Sequence, residues 1–157
     1  MARPSRNTNA QDIQSGYRTF FVTSKTFLGL SLLQTQRMAS LLIDVLRTYA
    51  AAKRFKANDF VVMPDHFHLI ITLNHDMSVE KAVQLVKGNF SYRAKKELGY
   101  QREIWQRGFS DERIWDRESL LSHRSYIDDN PVKAGLARRP EEYPYCSAHF
   151  RKKKNRA

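Results

Sequence analysis

One cysteine stands among the 157 residues. Cys146 has no partner for an internal disulfide, and a cysteine-built zinc site is excluded. A reducing, cytoplasmic setting follows as the expectation. The start, Met1 to Gln14, lacks the apolar stretch of a signal peptide. No apolar run approaches the ~20 residues that a membrane helix needs. No internal repeat and no low-complexity linker interrupts the chain. Acidic residues are scarce as well: 16 Asp and Glu face 27 Lys and Arg, for a net charge of +11 and a pI near 10.0.

What is present is enough for one folded domain. Apolar residues make up 41% of the chain and charged residues 27%, at a length that buries a real core. The basic excess points to a polyanionic partner, either nucleic acid or an anionic membrane surface. Part of it lies at the end, where residues 151–157 hold five cations and no acid. Without them 22 cations still oppose 16 anions, so the remainder is basic too. The expected organisation is a disordered N-terminal tail over 1–16, a single domain over 17–150 and a basic C-terminal tail over 151–157. That last tail reads equally as a solubilising end or as an arm that touches nucleic acid.

Hydrophobic spacing divides the domain into elements. RTFFVTSK, 18–25, reads as a strand rich in β-branched and aromatic residues. Residues 34–53 read as a helix, with Met38, Leu41, Leu42, Val45, Leu46 and Tyr49 at three- and four-residue spacing. DFVVM (59–63) and FHLIITL (67–73) read as two strands joined by a Pro64-Asp65 turn. A second helix starts at Ser78 and stops at Gly99. Residues 104–115 are ambiguous, with a short strand expected in their second half. A third helix covers 117–129, and Pro131 is expected to end or kink it, because its nitrogen cannot donate. The order β-α-β-β-α-β-α predicts an α+β fold, a ferredoxin-like antiparallel sheet with helices packed on one face. The last helix carries Tyr126.

Two segments hold the chemistry. In the strand around MPDHFHLI, residues two apart point to one side, so His66 and His68 stand side by side while Phe67 and Leu69 turn to the core. Two neutral imidazoles can hold a divalent metal with positions left open for a phosphate. The alternative is a pair of ordinary surface or partner-bonded histidines, which the apolar setting makes costly. In the 117–129 helix and just beyond it, His123, Tyr126 and Asn130 share a face. They offer a nucleophile and a ligand, or else a core tyrosine and a capping asparagine.

Taken in order, MPDHFHLI (63–70), IWQRGF (104–109), YIDDNPVKAGL (126–136) and the following EEYPYCSA resemble the REP-associated tyrosine transposases. These are a branch of the single-tyrosine, HUH-type insertion-sequence transposases. The resemblance covers roughly 17–150. It implies that His66 and His68 bind the metal, Mg²⁺ or Mn²⁺, and that Tyr126 is the nucleophile. It implies that Asn130 completes the metal site, with Asp129 as the runner-up, since a carboxylate suits Mg²⁺ better than an amide. The implied substrate is single-stranded DNA beside a hairpin, cut through a 5′-phosphotyrosine intermediate, and a monomer is expected rather than a dimer. His123 stands as a general-base candidate beside phosphate-binding or structural roles.

Cations and aromatics interleave around these segments. Arg18, Lys87, Arg93, Lys96 and Arg107 are the expected DNA contacts, against the alternative of solvated helix faces. Trp105 and Trp115 are expected in the core. Two rival functions remain: a domesticated hairpin-binding protein that no longer cuts, and a hydrolytic metal phosphodiesterase. The His-x-Thr/Ser phosphoesterases are disfavoured, because His68 leads to Ile70.

Overall fold

The computed structural model describes residues 16–155, so most of the expected N-terminal tail, and residues 156–157, lie outside the described residues. Four strands form one antiparallel sheet: β1 (Arg18–Lys25), β2 (Lys56–Met63), β3 (His66–Leu73) and β4 (Ser110–Ile114). Their spatial order is β2-β3-β1-β4, the arrangement of a ferredoxin-like sheet. The helices are α1 (Gln36–Ala51), α2 (Val79–Leu98), α3 (Arg117–Lys133) and α4 (Ser147–Asn155).

Local chemistry sets the boundaries. The Thr35, Ser78 and Asp116 side chains accept from the backbone N–H groups of Met38, Lys81 and Ser119, each capping a helix start. Gly99 takes φ +72° at the end of α2, where a side chain would be strained. Strand β2 begins three residues earlier than expected, at Lys56, because a bulge between Ala57 and Asp59 absorbs the irregular start. Met63 pairs with His66 across Pro64-Asp65, so β3 begins at the first histidine rather than at Phe67.

The two-residue alternation of the strands sorts the core into two faces. Phe20, Val22, Val62, Phe67, Leu69 and Ile71 face α1 and α2 and form the larger cluster with Leu42, Val86 and Phe90. Val61, Met63, Ile70 and Ile114 point the other way, against Ile127 of α3 and Tyr143, Cys146 and Ala148. Two helices therefore cover one face, and the helix that carries Tyr126 lies on the opposite face.

Two segments depart from expectation. Helix α3 runs through Pro131 to Lys133. A proline leaves the carbonyl four residues earlier without its amide donor, and here the Cys146 thiol donates to Ile127 O at 3.9 Å instead. Burial pushes that thiol up to about 12, so it keeps its proton. The second departure is α4, which continues through Arg151 to Asn155 where a tail was expected. Arg151 is held there by two carboxylates, Asp59 at 2.7 Å and Asp128 at 2.6 Å. No helix among the described residues is long and apolar enough to cross a membrane.

Candidate active site

The even-numbered residues of β3 face α3. His68 is buried, at 5% exposure, and His66 is half-buried beside it, with ring centroids 4.8 Å apart. Each ring is held through Nδ1. His66 Nδ1 bonds Asp65 Oδ1 at 2.7 Å, and His68 Nδ1 bonds Thr23 Oγ1 at 2.8 Å. Register explains the second bond, since Thr23 lies directly opposite His68 on β1. His68 Nε2 is buried with no hydrogen-bond partner among the described residues. A buried imidazole nitrogen left bare costs free energy unless a ligand completes it. Nδ1 tethering with Nε2 left open is the arrangement that orients metal-binding histidines.

Burial, reinforced by the neighbouring His66, lowers His68 to about 3. The ring is therefore neutral near pH 7, the form that donates a lone pair. The unfolded chain takes up this proton near 6.5 and the folded chain refuses it down to about 3. Between those values the unfolded state binds more protons, so stability falls as pH falls. The loss from this group is about 1.4 kcal/mol per pH unit. Urea unfolding in EDTA at a series of pH values will show this slope in the wild type, and His68→Gln will flatten it. An equal slope in both proteins would remove His68 as its source.

Tyr126 projects from α3 onto this pair. Its ring meets His68 edge-on, with centroids 5.3 Å apart, and 47% of the residue is exposed. Its hydroxyl makes no hydrogen bond among the described residues. Phe21 forms the floor: it stacks on His68 at 5.1 Å and touches Tyr126 at 5.9 Å and His123 at 4.8 Å. The structure thus brings together His66, His68 and Tyr126, and adds Phe21, Thr23 and Asp65, which were not singled out from the sequence. Their signal was weak, because β1 alternation names one face without saying which strand lies alongside.

The remaining candidates divide. Asn130 lies one turn beyond Tyr126 and is half-buried, while Asp129 is exposed. No group of three or more histidines, cysteines or carboxylates able to hold a metal occurs among the described residues. Asp128 points elsewhere, to Arg151. Both nitrogens of His123 are engaged, Nδ1 by Ser119 O at 2.7 Å and Nε2 by Glu112 Oε2 at 3.2 Å. Those contacts brace the ring between α3 and β4.

Of the five expected DNA contacts, only Arg107 is near the histidines. It lines a 260 Å³ cleft with Thr23, Lys25, Gly108 and Phe109. Lys25, exposed and opposite His66 on β1, is a cation that was not singled out. Arg18 is at the far end of β1 and donates to the carbonyls of Asn74 and Met77. Lys87 donates to Gln106 O and Gly108 O, clamping the 106–108 loop to α2. Arg93 is paired with Asp44 and Glu97, and Lys96 lies over the Tyr92 ring. Trp105 is buried in the core as expected, its indole donating to Lys87 O, and Trp115 is half-buried against Arg113.

Proteins similar to this chain in sequence and fold are known. The family model described as "Transposase IS200 like" matches residues 30–130, a span that contains His66, His68, Tyr126 and Asn130. A Haemophilus influenzae protein named for the REP-associated tyrosine transposases is 28% identical over 152 residues, covering 86% of each chain. The Escherichia coli K12 REP-associated tyrosine transposase is 28% identical over 117 residues, 74% of this chain and 66% of that one. Among solved structures, a REP-associated tyrosine transposase bound to a REP hairpin superposes with a TM-score of 0.71 at 26% identity. The match covers 96% of this chain and 84% of that one. A Deinococcus radiodurans protein shares the fold at a TM-score of 0.55 and 17% identity, over 82% and 97% of the two chains. With that family model matching residues 30–130, more than half of its length, the chain belongs to the IS200-like transposase family, and its likeness there is to the REP-associated tyrosine transposases.

Proposed function

We propose that this protein cuts and rejoins single-stranded DNA beside hairpins through a covalent bond to Tyr126. The observation that carries the reading is the exposed phenol lying edge-on, 5.3 Å between centroids, to a buried histidine whose Nε2 is unpartnered. His66 and His68 would hold a divalent cation through their Nε2 atoms. Asn130 is the favoured third donor, since it follows Tyr126 by one turn of α3 and is half-buried, whereas Asp129 is exposed. When bound, Mg²⁺ or Mn²⁺ supplies charge neutralisation at the phosphate and at the departing oxygen.

The protein's own groups do the rest. Tyr126 Oη attacks phosphorus in line, the P–O3′ bond breaks, and a 5′-phosphotyrosine forms. The phenol proton leaves and the 3′-oxygen ends as a hydroxyl, so the step balances without water. A second 3′-hydroxyl reverses it and joins strands. A neutral phenol is a weak nucleophile, so this attack depends on activation of the phosphate. Lys25 and Arg107 line the adjoining cleft and suit a strand's phosphates. The hairpin partner seen with the related structure supports a hairpin-flanking substrate for this chain.

The test uses the full chain, a labelled hairpin oligonucleotide with single-stranded flanks, and Mn²⁺. A slowed covalent band is expected on a denaturing gel, lost with EDTA and in His66→Ala. Hairpin binding without a band at any metal concentration would instead favour the domesticated, non-cutting reading. A band that persists in EDTA would remove the metal from the reaction.

A further inference from the structure

Gly88 stands mid-way along α2, exposed, in the most costly ordinary residue type for a helix interior. Nothing in the protein requires it. A Cβ placed there meets no atom within 4 Å, so no neighbour presses on the site. The space it leaves open is a groove of about 320 Å³ between α2 and the 105–109 segment, walled by Val83, Trp105 and Phe109, with Gln84 and Ser91 at its rim. Glu80 also lines it, one turn before Gln84 along α2.

This groove adjoins the candidate active site. Gly108 and Phe109 line both it and the cleft that holds Thr23, Lys25 and Arg107, and Thr23 is the residue bonded to His68. A strand that leaves the histidine pair along Lys25 and Arg107 crosses Gly108 and arrives over Gly88. There the lining is aromatic, with amide, hydroxyl and carboxylate groups, and the Lys87 ammonium that also lines it is engaged by the Gln106 and Gly108 carbonyls. Such aromatic and polar groups suit the flat face and polar edge of a base better than a phosphate.

We infer that the Gly88 groove is a nucleobase pocket, in which one unpaired base of the substrate strand stacks on Phe109 and presents its edge to Gln84, Ser91 and Glu80. The inference rests on the single-strand reading above and adds where sequence is read. The glycine is kept for the base, at the expense of the helix.

The test separates stability from recognition. Gly88→Ala is expected to raise the unfolding midpoint by about 2–4 °C and to weaken the base preference, since its methyl group enters the groove. Gly88→Leu, also a good helix former, fills it. Hairpin oligonucleotides with randomised single-stranded flanks are selected on each protein. Wild type is expected to enrich one base at one flank position, Gly88→Ala to enrich it less, and Gly88→Leu to enrich none there. An abasic site at that position then weakens wild-type binding about tenfold and leaves Gly88→Leu unchanged. If Gly88→Leu keeps the wild-type preference at every position, or wild type shows no preference, the pocket is refuted while the cutting reading stands. If wild type retains no hairpin at all, the single-strand reading falls and takes the pocket with it.

Discussion

Tyr126→Phe is expected to abolish the covalent protein–DNA band and to lower strand cleavage by at least about 10³-fold, with hairpin binding close to wild type. The substitution removes one oxygen. That oxygen makes no hydrogen bond among the described residues, so the fold loses nothing by it. The ring keeps its edge contact with His68 and its packing on Phe21, so α3 stays in place. Cleavage and binding therefore separate cleanly in this variant. Denaturing gels report the adduct, native gels report binding, and a thermal melt checks the fold. An undiminished band would move the nucleophile to another side chain. Cleavage that survives without any band would transfer the attack to water and make the protein a hydrolytic phosphodiesterase.

Asp59→Ala destabilises the protein by about 3 kcal/mol, or about 6–12 °C in melting temperature. Asp59 is 1% exposed on β2 and receives Arg124 Nε at 3.0 Å and Arg151 Nη1 at 2.7 Å. Arg151 in turn donates to Asp128 at 2.6 Å. One carboxylate therefore ties β2 to both α3 and α4. The two guanidinium groups are more than a third exposed, which lets them rehydrate and holds the loss at this level. The tie bears on function because Arg124 precedes Tyr126 by two residues, and α3 buries only Ile127 and Pro131. Cleavage in Asp59→Ala is expected to fall further than binding, since the strand contacts lie on β1 and the 106–109 loop. Denaturant unfolding measures the first effect, and adduct yield per bound hairpin measures the second. A loss of less than 1 kcal/mol would show that packing alone seats α3.

Much of this arrangement was legible in the chain, for reasons that differ by residue. His66 and His68 could be paired because alternation along a strand is a local rule. The helix starts at Thr35 and Ser78 were near the expected positions because a cap is written in four consecutive residues. The role assigned to Tyr126 came from resemblance, and only the third dimension brought its ring to His68. What stayed hidden depends on strand register. Thr23 and Lys25 belong to the site because β1 lies antiparallel to β3 with Thr23 opposite His68, and no spacing within either strand states that offset. The partners of Arg18, Lys87 and Arg93 were hidden for a related reason: a cation's partner is set by the tertiary neighbour, and theirs are carbonyls and carboxylates. Helix α4 was masked by its own charge, since five cations in seven residues read as a tail until Asp59 and Asp128 supply the counter-ions.

The order of residues along the chain has a consequence during synthesis. The histidine hairpin joins strands that meet across a two-residue turn, and it can form soon after it leaves the ribosome. Tyr126 follows 58 residues later, which at roughly 5–20 residues per second is a delay of about 3–12 s. Arg151, which fastens the tyrosine helix through Asp59 and Asp128, emerges later still. The nascent chain thus passes through a stage with its ligand pair built and no attacking group. It then passes through a second, with the attacking group present but unfastened. On the proposed function, the cutting centre is complete only once α4 closes over β2 and fastens the tyrosine helix.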